Sequence, residues 1–191
     1  MTNNARQRLV STTSTLLERQ GYAATGLKQI LQESGTPKGS LYHYFPDGKE
    51  SLAVEAITQR MREMAGHARR ILSQIDDPAE AIHALIRHLA EMTQRQSCGT
   101  GAPIAAVALE ASNSSETLRQ ACAVGYDGLE AVFAAKLVMG GYSAENAAEL
   151  AAIINASIEG ATILARTKQD ATVLFHIADA MKTVVQNMPK A

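Results

Sequence analysis

The sequence is poor in several residue types that mark special classes of protein: its 191 residues include no tryptophan, two cysteines and five prolines, and 4% are aromatic. Cys98 and Cys122 have none of the spacings of a zinc or redox motif, so we expect reduced thiols and no metal or cofactor. No apolar run approaches the ~20 residues of a membrane-spanning helix, and the polar start M-T-N-N-A-R-Q-R does not resemble a signal peptide. We therefore expect a cytoplasmic protein with no membrane partner.

Charge is nearly balanced overall but unevenly distributed along the chain, whose net charge is −1. Residues 1–70 carry ten Lys and Arg against six Asp and Glu, whereas residues 71–191 carry eight against thirteen. A hydrophobic content of 46% is sufficient for one or two small domains with real cores. The basic N-terminal part is where an anionic partner would bind.

Hydrophobic periodicity indicates an all-α protein of about nine helices, because apolar residues recur at helical spacing and no segment shows sustained alternation typical of a strand. Thr25 is expected to cap the second helix, and Thr36 to cap a short third helix with Pro37 at its first position. The predicted helices are residues 6–20, 26–34, 37–44, 49–71, 78–96, 102–111, 115–139, 143–166 and 170–188.

One stretch, G-T-P-K-G-S-L-Y-H-Y-F-P-D-G-K-E-S-L over residues 35–52, combines features of a phosphate-binding loop with aromatic residues. A nucleotide-hydrolase loop needs G-x-x-x-x-G-K-[ST] between a strand and a helix, and both the spacing and the context differ here. His43 has no nucleophile with an orienting acid in the same segment, although residues distant in sequence could still supply them. We predict no catalytic residue in this stretch.

Two short helices joined by a tight glycine-containing turn instead predict a helix-turn-helix. The first turn of its second helix would point at base edges in a DNA major groove. Gly39 and Ser40 would let the backbone approach, and Lys38 could donate to guanine or to phosphate. Glycine costs about 1 kcal/mol in a helix relative to alanine, which favours close approach. The alternative is a loose turn.

The aromatic residues of this short helix are expected to divide between two sides. Leu41 and Phe45 are four residues apart and share an inward face. Tyr42, His43 and Tyr44 place polar tips around the helix where a phosphate backbone would run. The alternative is an aromatic core cluster, which we expect to apply to Phe45 and not to at least two of the others.

The sequence T-G-L-K-Q-I-L-Q-E-S-G-T-P-K-G-S-L-Y-H-Y-F-P-D-G-K-E-S-L resembles the N-terminal DNA-binding domain of TetR-family transcriptional repressors. The family signature is a Thr opening helix two, a Gly turn, a short L-Y-x-x-F recognition helix and a Lys opening helix four, and the match extends over roughly residues 6–60. The resemblance implies a helix-turn-helix domain over residues 1–50 and a ligand-binding and dimerisation domain over residues 51–191, in a homodimer. By position it assigns base contacts to Lys38, Gly39 and Tyr42, and phosphate contacts to Thr25, Ser40, His43, Tyr44 and Lys49.

The turn before helix four is one residue longer than in most of the family, because Pro46, Asp47 and Gly48 stand where two residues are usual. This insertion, together with A-P-I-A-A-V-A-L-E-A-S, L-R-Q-A-C and I-E-G-A-T-I-L-A-R, is similar to the LmrA/YxaF branch. The longer turn leaves open whether Lys49 still reaches phosphate. Many members of that branch carry a cysteine at the position of Ala102, so we assign Cys98 no sensing role.

The last two helices carry many small residues, which allow close helix packing. We expect a four-helix bundle made by two copies of the chain, with packing inside one subunit as the alternative. The residues concerned are Ala144, Ala147, Ala148, Ala151, Ala152, Ala156, Gly160 and Ala161, followed by Ala171, Ala178 and Ala180.

An effector site is expected on the helices that surround a pocket in this family. A methionine stripe is more often ordinary core than ligand lining, and His83 and His88 are wrongly spaced for a metal. A pocket of this makeup would suit an apolar or aromatic small molecule. The candidate ligand-binding residues are Met61, Met64, His67, Leu85, His88, Leu89, Met92, Val107, Glu110 and Phe133.

The resemblance, together with these patterns, implies a repressor that binds a palindromic operator in double-stranded DNA as a dimer and is released by a small apolar molecule. Ligand among helices four to seven would shift helix four and separate the two recognition helices from the groove repeat. The alternatives are an activator or architectural DNA-binding protein, and a helical small-molecule carrier or enzyme without a DNA-binding role.

Overall fold

The computed structural model describes residues 2–96, 104–112 and 114–191. Over these ranges it contains nine α-helices and no strand, which confirms the all-α prediction. Cys98 and Ala102, for which the sequence analysis made predictions, lie outside the described residues. The helices are α1 Thr2–Gln20, α2 Leu27–Ser34, α3 Lys38–Tyr44, α4 Lys49–Leu72, α5 Pro78–Arg95, α6 Ala105–Ala111, α7 Glu116–Met139, α8 Ala144–Lys168 and α9 Thr172–Asn187.

The chain divides into two compact units that do not follow a single cut in the sequence. The first unit comprises Met1–Met61 and Ala102–Gly125, and the second comprises Arg62–Gly101 and Tyr126–Ala191. The first unit therefore includes α6 and the start of α7 in addition to the predicted helix-turn-helix. The functional boundary after residue 50 stays a prediction.

The centre of the first unit is an apolar core onto which α1, α2 and α3 pack. Leu9, Leu16, Ile30, Leu41 and Leu52 are fully buried there. They come from four helices. The short helices α2 and α3, which would be marginal in isolation, are therefore stabilised by packing against the longer ones.

The turn between α2 and α3 depends on a glycine in the left-handed conformation. Gly35 has φ 59°, and its amide and that of Thr36 donate to carbonyls of the last turn of α2. This arrangement is a common way to end a helix, since glycine adopts positive φ without strain. It confirms the end predicted for the second helix.

The two threonine caps predicted from the sequence are wrong. Gly26 is the N-cap of α2 and Pro37 is the N-cap of α3. The Thr25 hydroxyl instead donates to the Gly21 carbonyl at 2.6 Å, and the Thr36 hydroxyl donates to the Ser34 carbonyl at 3.3 Å. Threonine hydroxyls can bond to a preceding carbonyl as well as to a following amide, and here both take the first option.

In the second unit α9 packs against α5 and α8. Asp77 caps α5 by accepting a hydrogen bond from the Glu80 amide at 2.9 Å, and Ser143 caps α8 by accepting from the Asn146 amide at 3.1 Å. Small residues allow close packing at the centre of this unit. One buried cluster consists of Ala90, Ala161, Ala165 and Leu174.

A close approach of α7 to α4 inside the first unit generates a prediction for stability. A Cβ at Gly125 would lie 2.6 Å from Met61 Cγ, whereas a Cβ at Gly128, on the same helix, would meet nothing within 4 Å. Both Gly→Ala changes gain helix propensity, but only Gly125→Ala crowds a packed contact. We expect Gly125→Ala to lower the free energy of unfolding by about 1–3 kcal/mol relative to Gly128→Ala, measured by urea unfolding at one protein concentration. Equal values for the two variants would contradict the close approach.

Candidate nucleic-acid interface

Helix α3 has one buried side and one exposed side, as its sequence predicts. Leu41 is 0% and Phe45 4% exposed, whereas the side chain of Tyr42 is 45% exposed. Lys38 and His43 are also exposed. The aromatic core alternative therefore applies to Phe45 and not to Tyr42 or His43.

The remaining candidate residues of α3 lie between these two sides. Gly39 is exposed, and a Cβ there would meet nothing within 4 Å. Ser40 and Tyr44 are half-buried. The His43 and Tyr44 rings form an edge-to-face pair with centroids 4.8 Å apart, which fixes the orientation of both. The exposed side of α3 thus carries several hydrogen-bond donors, and its opposite side is apolar and buried.

A concave surface lies between α2 and α3 and encloses a pocket with a volume of about 390 Å³. Leucines form part of its lining, with two lysines and Tyr42 completing it. The Lys38 ammonium lies 5.8 Å from the centroid of the Tyr42 ring, close enough for a cation–π interaction. The lining residues are Leu27, Lys28, Leu31, Lys38, Leu41 and Tyr42.

Thr25 does not have the exposure that a phosphate contact needs. It is 1% exposed, and its hydroxyl donates to the Gly21 carbonyl. The side chain therefore stabilises the turn between α1 and α2. The geometry does not support the predicted contact between this hydroxyl and DNA.

Lys49 points toward the same turn. Its ammonium donates to the Tyr22 carbonyl at 2.6 Å and lies 4.0 Å from the centroid of the Tyr22 ring. Burial lowers the pKa of Lys49, and the nearby carboxylate of Glu110 acts in the opposite direction. The longer turn ends at Gly48, which has φ 76°, directly before the first residue of α4.

The residues predicted to bind an effector are divided between the two units. Met61, Val107 and Glu110 belong to the first unit. Met61 and Val107 are buried, and Glu110 accepts a hydrogen bond from the Ala23 amide at 2.8 Å. Glu110 therefore has a structural partner in the turn between α1 and α2, which sequence analysis did not anticipate.

The other predicted effector residues belong to the second unit. Leu85 and Phe133 are buried, Met92 is 37% exposed, and Met64 is half-buried. Leu89 packs against the buried alanine and leucine cluster. All five side chains are apolar, and their role in binding an effector stays a prediction.

His67 and His88 come together across α4 and α5. Their Nε2 atoms are 3.2 Å apart, and Arg70 Nη2 lies 3.3 Å from His67 Nδ1. Because arginine can only donate, its contact with Nδ1 favours the His67 tautomer that has the proton on Nε2 and donates a hydrogen bond to His88 Nε2. Desolvation lowers the pKa of His67, and its interactions with His88 and Arg70 lower it further, which favours the neutral form of His67.

Two polar pairs between α7 and α8 were missed by the sequence analysis. The Tyr126 hydroxyl donates to Glu159 Oε1 at 2.5 Å, and the Asn155 amide donates to Glu130 Oε1 at 2.9 Å. Burial raises the pKa of Glu159, and the hydrogen bond from Tyr126 opposes this shift. The signal available in the sequence was the shared spacing of four residues on each helix, which places both pairs on facing sides.

Metal and thiol chemistry have no supporting geometry in the part of the chain that the structure describes. No group of three or more His, Cys, Asp or Glu side chains in this part could hold a metal ion. Cys122 is 3% exposed, and burial raises its pKa to about 11, which disfavours the reactive thiolate. Helix α8 is long and apolar enough to cross a membrane by length and composition alone, a property that it shares with core helices of soluble proteins.

Comparison with known families accounts for both parts of the chain. Residues 9–56 match the family of bacterial regulatory proteins named after TetR, and residues 78–180 match the C-terminal domain of LmrA/YxaF-like transcriptional regulators. The first match contains the helix-turn-helix with its exposed α3. The second covers more than half of the chain.

Whole-chain relatives agree with these matches. An uncharacterized HTH-type transcriptional regulator of Bacillus subtilis, YxaF, is 40% identical over 183 residues, covering 96% of both chains. The regulator LmrA of the same organism is 36% identical, covering 96% of this chain and 97% of LmrA. The crystal structure of a TetR transcriptional regulator from Chloroflexus aurantiacus superimposes with a TM-score of 0.81 at 25% identity, covering 99% of this chain and 98% of that one. These relatives and families are transcriptional regulators rather than enzymes, and the chain belongs to the TetR family, with a C-terminal domain of the LmrA/YxaF type.

Proposed function

We propose that the protein is a ligand-responsive repressor that binds a palindromic operator as a homodimer and is released by a small apolar molecule. The observation that carries the proposal is the exposed side of α3, where Lys38, Gly39, Tyr42 and His43 are accessible while Leu41 and Phe45 are buried. A helix with this division can lie in a major groove without disturbing its own core.

In the proposed complex the first turn of α3 faces the bases. Lys38 can donate to guanine O6 or N7 or to a neighbouring phosphate, and Gly39 lets the backbone come close to the base edges. Tyr42 extends from the same side, one turn later. Ser40, His43 and Tyr44 have hydroxyl or ring N–H groups at the edges of this surface, where they suit phosphate oxygens.

A second copy of the chain is proposed to pack against α8. Exposed apolar and small residues recur along this helix at spacings of three and four, which places them on one side. Ile153, Ile163 and Leu164 are each more than 40% exposed. Other small residues of the predicted set, including Ala147, Ala151 and Ala161, are buried within the subunit, so α8 can use opposite sides for its two partners.

Regulation is proposed to follow from a ligand that prefers one of two conformations. Recognition helices of a two-fold dimer read successive major grooves only when they lie about 34–36 Å apart. A ligand that binds more tightly to a conformation with another spacing lowers operator affinity. The size of the effect is set by the difference between the ligand's affinities for the two conformations. The apolar side chains of Leu85, Met92 and Phe133 in the second unit favour an apolar or aromatic ligand.

DNA binding is tested with the region upstream of the protein's own gene. We expect a specific complex in fluorescence anisotropy that survives an excess of unrelated DNA and weakens as salt rises. The absence of a specific complex at every salt concentration would contradict the proposal. A reporter in a deletion strain then separates repression from activation, because loss of a repressor raises reporter output.

Two substitutions on α3 are expected to act differently. Tyr42→Ala should weaken operator binding by about 1–3 kcal/mol and change base preference, because it removes a side chain that faces the bases. Lys38→Met should reduce the slope of log K against log salt concentration by about one. Lys168→Met, which removes an exposed lysine of α8, is the control and should leave the slope unchanged. Equal effects of Lys38→Met and Lys168→Met would contradict the assignment of α3.

The dimer surface is tested by Gly160→Glu. A Cβ at Gly160 would meet nothing within 4 Å in its own subunit, so the substitution is compatible with the fold of the monomer. At a two-fold interface it brings two carboxylates together, and we expect the dimer dissociation constant to rise by at least about 100-fold, or ~3 kcal/mol. Analytical ultracentrifugation measures the change. Lys168→Glu, at an exposed position in the last turn of α8 and outside the predicted set of small residues, should remain dimeric.

A further inference from the structure

Lys49 and Glu110 contact the turn between α1 and α2 from different helices of the first unit. Lys49 is the first residue of α4, and its ammonium donates to the Tyr22 carbonyl at 2.6 Å. Glu110, on α6, accepts from the amide of the next residue, Ala23, at 2.8 Å. A cation thus binds a carbonyl of the turn and an anion binds the adjacent amide, and each hydrogen bond is strengthened by the charge.

The turn has little space around these contacts. Gly21 has φ 77°, and a Cβ there would lie 2.3 Å from Glu110 Oε1. The Lys49 ammonium also lies 4.0 Å from the Tyr22 ring centroid, so the ring covers one of its sides. The two charged side chains therefore make specific close contacts with the turn.

A further hydrogen bond joins α4 to the residue that precedes α7. The Ser115 hydroxyl donates to the carboxylate of Glu50, the residue that follows Lys49 on α4. Ser115 also accepts from the Leu118 amide at 3.2 Å, in the first turn of α7. The start of α4 is consequently tied to the segment that carries Glu110.

We propose that Lys49 and Glu110 are positioning residues for operator binding: they hold the turn of residues 21–25, and with it α2 and α3, while Lys49 makes no phosphate contact. This inference rests on the proposed DNA binding. The turn leads directly into α2, whose packing beside α3 forms the concave surface lined by Lys28 and Lys38. A shift of the turn would therefore move the residues proposed to contact DNA.

Salt dependence distinguishes a positioning lysine from a phosphate contact. We expect Lys49→Met to weaken operator binding about tenfold, because a charged hydrogen bond that orders the turn is lost. The slope of log K against log salt concentration should stay at the wild-type value, whereas loss of a phosphate contact would reduce it by about 0.9. Lys38→Met serves as the matched control that does reduce the slope. A reduced slope for Lys49→Met would overturn the proposal.

Glu110 is tested by two substitutions and their combination with Lys49→Met. Glu110→Gln keeps an acceptor for the Ala23 amide and should retain more operator affinity than Glu110→Ala. In Glu110→Ala the effect of Lys49→Met should shrink, because both changes release the same turn. Wild-type affinity in a folded Glu110→Ala variant, or fully additive effects in the double variant, would contradict the shared role.

Hydrogen exchange provides a readout that does not depend on DNA or on fully folded variants. In the wild-type chain the Ala23 amide should exchange slowly, and Glu110→Gln should keep part of this protection. Fast exchange of the Ala23 amide in the wild-type chain would overturn the inference by itself. If the wild-type chain binds no operator while this amide is protected, the proposed function fails and the contact between Glu110 and the turn remains.

Discussion

Burial of Leu41 and Phe45 in the core of the first unit fixes the rotation of α3, and the exposed side of that helix depends on it. A helix of seven residues lies well below the roughly 12–15 residues at which isolated helices become stable in water. Its conformation is therefore imposed by packing, together with the left-handed Gly35 before it and the turn ending at Gly48 after it. Once the two apolar side chains are inside, Tyr42 and His43 face outward.

Charged side chains also have structural roles in the first unit, where they connect helices and a turn. Arg60 donates to Glu18 at 2.5 Å, which joins α4 to α1, and Lys49 and Glu110 contact the turn that follows α1. Contacts between charged groups and backbone atoms define direction as well as distance, which apolar packing does not. In the second unit, by contrast, small buried residues let long helices pack closely, and polar pairs such as those of Tyr126 with Glu159 and of Asn155 with Glu130 join neighbouring helices.

Helix number, most helix ends and the inward side of α3 could be predicted because they depend on local sequence: a period of 3.6 residues, glycines and prolines at the ends, and apolar residues four apart. The caps at Thr25 and Thr36 could not, because a threonine hydroxyl has two local partners and the sequence does not choose between them. The position of Glu110 could not either, since its partner is a backbone amide 87 residues away. A backbone carbonyl as the partner of Lys49 likewise leaves no pattern in the residues around it.

The first unit is assembled from two separate stretches of chain, Met1–Met61 and Ala102–Gly125. A hybrid regulator that joins the DNA-binding segment of one protein to the C-terminal domain of another at a single position would divide this unit. A cut after residue 50 or 61 of this protein would keep the turn of residues 21–25 and replace the helix that supplies its carboxylate. A hybrid that preserves this unit has to transplant α6 and the beginning of α7 along with α1 to α4, so that the unit of exchange is set by contacts in space and not by order along the chain.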